Sequence, residues 1–299
     1  MKKTTILWVM ILPIVLSMRI DAQNRRSNRS SSTNVNKDGP VTDCGDIQVK
    51  FDRQPAITEA SEMVLPASQV STLKTQLTNG GMYVSGWDRS EYSIKTCKAV
   101  PDEPNATNAL REITTTNNGG QITVNGPSDK EWMVQLIVMV PRLSRMDVET
   151  LNGPLQLREL AGVIRLTAKN GPVTLYNVGG VVDTIATNGP ISLSGASGDQ
   201  RVTATNGPVS VELSGNRWDG PGLEVSARNG PLSLSIPNAY SSGIQMRTND
   251  HSPMSCAASV CAGAMRTSSS PNIIRFGNGD PVVRLSTDNG PVRIQAAKN

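Results

Sequence analysis

The chain is poor in aromatic residues and histidine, which limits the chemistry it can carry. Aromatic residues make up 3% of the 299 residues, and His251 is the single histidine. A Ser-His-Asp triad would have to use His251, and the neighbouring Asp250 alone does not make one, so we expect no triad. The many Gly, Pro, Ser, Thr and Asn residues favour short strands and turns over helices.

A strong charge of either sign is also lacking. The formal net charge is +4, and the basic residues cluster only in the short tail that holds Arg25, Arg26 and Arg29. Proteins that bind nucleic acid normally present a concentrated basic face. We therefore expect no nucleic-acid partner.

Long apolar runs are absent after the first residues of the chain. The run over residues 6–16 follows Lys2 and Lys3, contains Pro13, and leads to Ala22, where cleavage would fit. It is shorter than the roughly 20 apolar residues of a spanning helix, which disfavours the alternative of a membrane anchor. The pattern predicts a signal peptide over residues 1–22, with no transmembrane segment after cleavage.

The four cysteines are Cys44, Cys97, Cys256 and Cys261. An even number in an exported protein predicts disulfides, for which three pairings exist. We favour Cys44 with Cys97 and Cys256 with Cys261, because each pair lies in one region outside the regular repeat. The alternative, a metal site of Cys256, Cys261 and His251, has no evident fourth ligand. We expect no metal and no other cofactor.

The most informative feature is the tripeptide Asn-Gly-Pro, which occurs seven times. Its copies begin at Asn125, Asn152, Asn170, Asn188, Asn206, Asn229 and Asn289, with a spacing of 18 residues from Asn152 to Asn206. A fixed period near this length is typical of solenoids and other repeat arrays. We predict repeat corners at Asn152-Gly153-Pro154, Asn170-Gly171-Pro172, Asn188-Gly189-Pro190, Asn206-Gly207-Pro208 and Asn229-Gly230-Pro231.

Two strands are predicted in each repeat. Apolar residues stand three and five positions after the Asn of each regular unit, as Leu155 and Leu157 do, and alternate residues six, four and two positions before the next Asn form the second strand. A glycine ten positions after Asn, as at Gly162, marks a second corner. Period-two alternation on both strands describes two faces packed across a thin core.

The proline in each corner argues for a parallel coil rather than a hairpin. Asn-Gly is a favoured hairpin turn, but the following Pro lacks the N–H that antiparallel pairing would need. We therefore predict an all-β fold, a β-solenoid or β-helix-like stack of two-strand coils, with an antiparallel sandwich or mixed stack as the alternative. Equal spacing would stack the Asn side chains about 4.8 Å apart, so that their amides bond to one another.

The remaining segments complete the predicted organisation. Residues 23–40 form a disordered polar linker, 41–141 an irregular N-terminal β region, and 142–299 the repeat, with an insertion at 250–280. The apolar stretch over 132–140 is expected to be a strand buried on both faces. Residues 292 and 294 would lie in the last strand and cap the stack.

Three features occur together in a fixed order. They are the repeated N-G-P-[LVI]-x-[LV] with its second glycine corner, N-G-G-M-Y-V-S-G-W-D at 79–88, and S-G-N-R-W-D-G at 214–220. In order and spacing they resemble the bacterial DUF4097 family of exported, adhesin-like β-repeat proteins, and the resemblance covers residues 41–299. It implies a β-solenoid-like fold, an envelope or extracellular location, and no catalytic residues. The cysteine-bearing insertion departs from the family pattern.

Two tryptophans are the candidate interaction residues. Trp87 and Trp218 are each followed by Asp and set among turn residues, so an exposed indole would stack on a sugar ring or anchor a protein. We favour the alternative that each indole covers an open end of the thin core, because aromatic residues are scarce and thin cores need covering. Carboxylates for catalysis are candidates too, but Asp183, Asp199, Glu212 and Glu224 stand at unrelated repeat positions and are interpreted as solubilising charge.

The expected function is that of an interaction scaffold. We predict a non-catalytic, adhesin-like protein of the periplasm, cell surface or extracellular space, whose partner is an envelope protein or a glycan. The alternative is a carbohydrate-binding module or polysaccharide-active enzyme on the same scaffold. Open strand edges would also allow edge-to-edge self-association.

Overall fold

The computed structural model describes residues 30–35, 39–249, 252–257, 259–267 and 272–297. The predicted signal peptide, Asp250 and His251 lie outside the described residues. Within the described residues, no helix combines the length and the apolar character that crossing a membrane requires.

The protein is all-β, and its strands belong to two hydrogen-bonded sheets. A small antiparallel sheet holds β1 (Ser31–Val35), β2 (Ile47–Phe51) and β3 (Gln54–Pro55). A large sheet of 21 strands holds β4 (Ile57–Pro66), β5 (Leu73–Asn79), β6 (Met82–Trp87), β7 (Glu91–Val100), β8 (Thr114–Asn118), β9 (Gln121–Asn125), β10 (Met133–Pro141), β11 (Leu143–Asn152), β12 (Leu155–Asn170), β13 (Val173–Asn188), β14 (Ile191–Ser194), β15 (Asp199–Asn206), β16 (Val209–Glu212), β17 (Gly222–Asn229), β18 (Leu232–Ile236), β19 (Ser242–Thr248), β20 (Met254–Cys256), β21 (Met265–Thr267), β22 (Asn272–Phe276), β23 (Asn278–Asn289) and β24 (Val292–Ala296). A short α-helix, α1, spans Ala106–Glu112.

The large sheet is arranged as two ladders, because β12 and β13 each pair along two separate stretches. The first ladder runs in the order β4-β7-β10-β6-β12-β13-β14-β16-β18-β24-β20. The second ladder runs in the order β8-β9-β5-β11-β12-β13-β15-β17-β23-β19-β22-β21. Pairing is parallel throughout the repeat and antiparallel at both ends of the second ladder and at the β4 end of the first, so the large sheet is a mixed stack.

Each repeat unit pairs in register with the next one. Leu157 pairs with Leu175, Leu175 with Leu193, and Leu193 with Val211, which are equivalent residues of successive units. These residues are buried, and the inward residues of both ladders belong to one apolar core. The predicted inward positions of both strands are therefore confirmed.

The corner asparagines form a continuous hydrogen-bonded column. The Nδ2 of Asn170 donates to Oδ1 of Asn152 at 3.0 Å, and the next units repeat this bond. The column crosses both irregular spacings, because Asn229 donates to Asn206 and Asn289 donates to Asn229. The predicted amide ladder is confirmed. It starts at Asn79, the corner of β5 and β6, whereas Asn125 pairs with Thr114 in the β8–β9 hairpin.

Glycine and proline serve different purposes at these corners. The backbone of Gly189 has a φ of +138°, and an added Cβ would overlap the carbonyl oxygen of Gly171 in the neighbouring unit. Pro190 has no N–H to place in the ladder, but its carbonyl oxygen accepts the N–H of Val173 at 2.9 Å. The corners therefore stack so closely that the glycine position excludes any side chain.

The last unit of the sequence does not cap the stack, and this expectation was wrong. β23 lies between β17 and β19, and β24 lies between β18 and β20. The terminal unit begins just before the predicted insertion at 250–280, because β19 buries Ile244 and Met246 in register with Val283 and Leu285 of β23. An alternating apolar strand between the last two Asn-Gly-Pro corners thus serves as one more repeat unit.

The N-terminal strands cover the other end of the core. β10 lies between β7 and β6 and is buried on both faces, as its sequence predicted. Its Val138 packs in the main core, and its Ile137 packs beneath the small sheet. The disulfide between Cys44 and Cys97 ties the start of this cover to β7.

One part of the predicted linker is ordered as a strand. Residues 31–35 were expected to be disordered because they are polar and lack apolar alternation. They form β1, which pairs antiparallel with β2 from Ser31 opposite Phe51 to Val35 opposite Ile47. Backbone pairing with an apolar strand therefore orders a segment whose own side chains remain largely exposed.

The corner column makes a specific stability prediction for the substitution Gly189→Ala. We expect it to lower the free energy of unfolding by more than about 3 kcal/mol, since the new Cβ meets backbone that belongs to another corner. Gly215→Ala is the matched control, because Gly215 also has a positive φ but has no heavy atom near its Cβ position. The control should cost about 1–2 kcal/mol. Urea unfolding of both variants measures the difference, and equal losses would contradict a closely packed glycine column.

Candidate functional site

Trp218 is buried rather than available to a ligand. It is 8% exposed and belongs to the main core, although it lies in the loop between β16 and β17. Its Nε1 donates to the carbonyl oxygen of Gly198 at 3.0 Å, and its backbone N–H donates to Oγ of Ser242 at 2.9 Å. The indole therefore covers the core at the second corner of the stack, beside Gly198. This is the covering role that the sequence analysis set beside a binding role.

Trp87 is half-buried at the end of β6 and is already engaged. Its Nε1 donates to the carbonyl oxygen of Glu91 at 2.8 Å, and the guanidinium of Arg89 lies 4.7 Å from the ring centroid. The next residue, Asp88, forms an ion pair with Arg142 at 2.7 Å. The indole N–H and one ring face are therefore occupied, which argues against Trp87 as a stacking platform.

The acidic residues of the second ladder are ordered, which corrects the interpretation that they are scattered. Asp183 and Glu224 both stand five positions before a corner Asn. Their row alternates in sign on neighbouring strands and contains Lys74, Asp147, Arg165, Asp183, Arg201, Glu224 and Arg284. Arg201 and Glu224 form an ion pair at 3.2 Å. Asp199 and Glu212 lie at other offsets.

This row is poorly suited to acid–base catalysis on a glycosidic bond. Its carboxylates are two strands apart, which is about 10 Å along the ladder, and a basic residue stands between each pair. A retaining enzyme needs its two carboxyl groups about 5 Å apart, and an inverting enzyme needs a water between them. Here the side chain between the carboxylates is an arginine.

The outer surface of the first ladder carries two rows of polar side chains, most of which bear a hydroxyl group. One row stands four positions after the corner Asn and contains Gln156, Thr174, Ser192, Ser210, Ser233 and Arg293. The second row stands six positions after it and contains Arg158, Tyr176, Ser194, Glu212, Ser235 and Gln295. We call this surface the hydroxyl face. Sequence analysis missed it, although the recurrence of polar residues at two fixed offsets was a visible signal.

The small sheet stands over one end of the hydroxyl face. Tyr83 occupies the same row as Gln156, but it is 4% exposed because the small sheet covers it. This burial raises the pKa of the Tyr83 hydroxyl to about 12. Beyond Tyr83 the cover ends at β1, whose pairing among the described residues is with β2 alone.

A groove of about 570 Å³ lies where β1 overhangs the hydroxyl face. Its lining combines the underside of β1, two proline corners and the first residues of both polar rows, namely Ser31, Thr33, Val35, Gly39, Tyr83, Met133, Asn152, Gly153, Pro154, Leu155, Gln156, Arg158, Pro172 and Thr174. Thr33 is held by a hydrogen bond of 3.1 Å from Nε2 of Gln135. The volume is in the range of small-molecule sites.

Arg158 is the charged residue of this groove. Its guanidinium lies 4.4 Å from the ring centroid of Tyr176 on the neighbouring strand. Among the described residues, no carboxylate lies within ion-pair distance of it. The stacked ring restricts the arginine side chain while its positive charge stays uncompensated, which suits it to bind an anionic group.

The cysteines form disulfides and are not available as metal ligands. Cys44 is bonded to Cys97 and Cys256 to Cys261, which are the two favoured pairs. His251, the third ligand of the metal alternative, lies outside the described residues. Over the part of the chain that the structure covers, no cluster of three His, Cys, Asp or Glu side chains suited to a metal is found.

The burial of Trp218 predicts a structural effect of its removal. We expect Trp218→Ala to lower the free energy of unfolding by about 3–5 kcal/mol, because a large buried side chain is lost. Trp218→Phe should cost about 1 kcal/mol, chiefly from the lost hydrogen bond to Gly198. Thermal melting measures both. If the Trp218→Ala protein melted at the same temperature as the wild type but no longer bound a ligand, the structural role would be contradicted and a binding role for Trp218 supported.

No protein-family model matches the chain, and no curated protein matches it either, so the DUF4097 resemblance stays a prediction. Solved structures similar to it include a candidate cell adhesion protein from Clostridium sporogenes, at 12% identity and a TM-score of 0.37, covering 81% of this chain and 100% of that one. A candidate adhesin from Bacteroides fragilis has 8% identity and a TM-score of 0.35, covering 80% and 97%. A candidate lipid-binding protein from Parabacteroides distasonis has 12% identity and a TM-score of 0.31, covering 81% and 97%. Identities this low leave the function to be inferred from the chain's own residues.

Proposed function

We propose that this protein is an exported, non-catalytic interaction protein that binds an acidic glycan in the groove between β1 and the hydroxyl face. The observation that carries the proposal is Arg158, which is stacked on Tyr176 at the floor of that groove and has no carboxylate partner among the residues that the structure describes. The location is the envelope or the extracellular space, which the two disulfides support.

The scaffold in this proposal is a β-solenoid-like stack. Support comes from the in-register parallel pairing of 18-residue units and from the asparagine column that runs through all of them. The repeat domain is 142–299, and the N-terminal β region is 41–141, of which β5 and β6 add one more unit to the stack. The polar outer rows are then a surface that the scaffold holds at fixed spacing.

A glycan fits the groove better than an apolar ligand does. Gln156 and Thr174 supply an amide and a hydroxyl, and Thr33 adds a hydroxyl from the overhanging strand. These groups both donate and accept hydrogen bonds, as sugar hydroxyls require. The rings of Pro154 and Pro172 give an apolar floor of limited area. Arg158 then selects sugars that carry a carboxylate or a sulfate.

The test is binding of the mature protein to an array of neutral, uronic-acid and sulfated oligosaccharides. We expect acidic glycans to bind and Arg158→Gln to weaken that binding by at least about tenfold, which is the value of a lost charge-assisted hydrogen bond. Arg228→Gln is the matched control, since Arg228 is exposed on the opposite, second-ladder surface. The Arg228→Gln variant should bind acidic glycans with the same affinity as the wild type.

The same experiment separates the proposal from its alternatives. Binding of neutral sugars alone, or equal losses in the two arginine variants, would contradict the role of the groove. Release of new reducing ends from a bound polysaccharide would favour the polysaccharide-active enzyme that was kept as the alternative.

A further inference from the structure

The outer surface of the second ladder carries two rows whose chemistry changes regularly from strand to strand. The first, which we call the charge row, stands five positions before each corner Asn and contains Lys74, Asp147, Arg165, Asp183, Arg201, Glu224 and Arg284. The second, which we call the valine row, stands seven positions before each corner Asn and contains Arg145, Val163, Val181, Asp199 and Gly222. Both rows follow the ladder, so their members share one strand spacing of about 4.8 Å.

The side chains of both rows are accessible to a partner. Val163 and Val181 are 45% and 53% exposed, and Arg165, which lies between them in the same surface, is exposed as well. Over the part of the chain that the structure describes, ion pairing inside the charge row is limited to Arg201 with Glu224, at 3.2 Å. The surface therefore combines exposed apolar area with alternating charges that its own chain leaves largely unpaired.

A second copy of the same surface can complement these rows. Two sheets pack face to face with their strands aligned and about 10 Å apart. If a twofold axis runs between the two sheets and parallel to the strands, each row meets the same row of the other copy in reversed strand order. An alternating row then meets opposite charges only when the axis passes between two strands. An axis that passes over a strand would bring like charges together.

The valine row selects one position for that axis, between β12 and β13. In this position Val163 meets Val181 of the second copy, and Arg145 meets its Asp199. An axis in either neighbouring gap would place a valine against Arg145 or Asp199 instead. The pairs of the charge row are then Arg165 with Asp183, Asp147 with Arg201, and Lys74 with Glu224. The third outward row, three positions before Asn, carries only Glu149 as a charge between β5 and β17, so it brings no like charges together.

We propose that this surface is the interface of a symmetric dimer of the chain, with its twofold axis between β12 and β13. The partner is a second copy because one axis position satisfies both rows at once. Six strands and about six residues of each strand cover roughly 600 Å² per copy, which is at the lower end of specific interfaces. Because most of the contacts are charged, the dimer is reversible and weakens as salt is added.

The dimer leaves the hydroxyl face of each copy exposed. That face belongs to the first ladder, and the inward residues of both ladders share the core that separates the two outer surfaces. The two grooves therefore point away from each other, and one dimer can hold two glycan chains. This consequence rests on the proposed function, whereas the dimer does not. A protein that dimerises but binds no glycan would contradict the proposed function alone.

Complementary charge variants of the mature protein test the interface. Asp183→Arg should weaken the dimer because Arg165 then meets an arginine, and Arg165→Asp should weaken it because Asp183 then meets an aspartate. In an equimolar mixture, each arginine meets an aspartate of the other variant. By sedimentation equilibrium at low salt, we expect each variant alone to raise the dimer Kd at least about tenfold, and the mixture to return to within about threefold of the wild type.

Glu212→Arg and Arg293→Asp are the matched controls for these variants. They make the same changes in net charge, but they lie on the hydroxyl face. Each should dimerise like the wild type. The proposal would be overturned by a wild type that stays monomeric at high protein concentration, by Asp183→Arg and Arg165→Asp proteins that dimerise like the wild type, or by a mixture of the two folded variants that stays monomeric.

A second measurement uses the valine row and needs no charge reversal. Val181→Ser should raise the dimer Kd at least about threefold, because apolar contact is lost at two equivalent places. Val64→Ser is the matched control, since Val64 is also 53% exposed but lies in β4, outside the interface. Equal affinities of the two serine variants would count against the interface. If thermal melting shows that a charge variant does not fold, this pair decides the question.

Discussion

The structure depends on the close approach of successive glycines at the Asn-Gly-Pro corners. Because no Cβ fits between Gly171 and Gly189, a slip of one residue in any unit would drive a side chain into the corner. The glycine column therefore sets the register, and the asparagine column bonds along it. Once the register is set, every inward residue meets its equivalent in the next unit, so the core is built by repetition of short apolar rows.

The same register decides where a ligand site can form. Outward residues also fall into rows, which makes the exposed surface of each ladder regular. Ligand sites are concave, so they need something that stands above such a surface. The small sheet does this on the first ladder, held to β7 through the Cys44–Cys97 disulfide, and the groove lies beneath β1, where the pairing of that sheet ends within the described part of the chain.

Local patterns predicted the repeat well, because period-two alternation and corner chemistry act within a few residues. The corners, the inward rows, the amide column and the double burial of β10 follow from such patterns. The groove does not, since β1 is polar and becomes a strand only by backbone pairing with β2. For Trp218 the sequence favoured a covering role but did not locate it, because its loop is polar and the space that it fills beside Gly198 exists only in the folded stack. The order of the last units was missed because β19 and β23 carry equivalent apolar alternation.

The alternating charges of the second ladder suggest how units of similar sequence find their order. Omission of the unit that holds Glu224 would bring Arg201 beside Arg284, and like charges on neighbouring strands are unfavourable. Each contact contributes only about 0.2–1 kcal/mol, so the row adds selectivity more than stability. Gln245 of β19 is neutral, and it would neither attract nor repel Glu224 strongly. Arg284 gives Glu224 an opposite charge instead, which favours β23 between β17 and β19 over direct contact of those two strands.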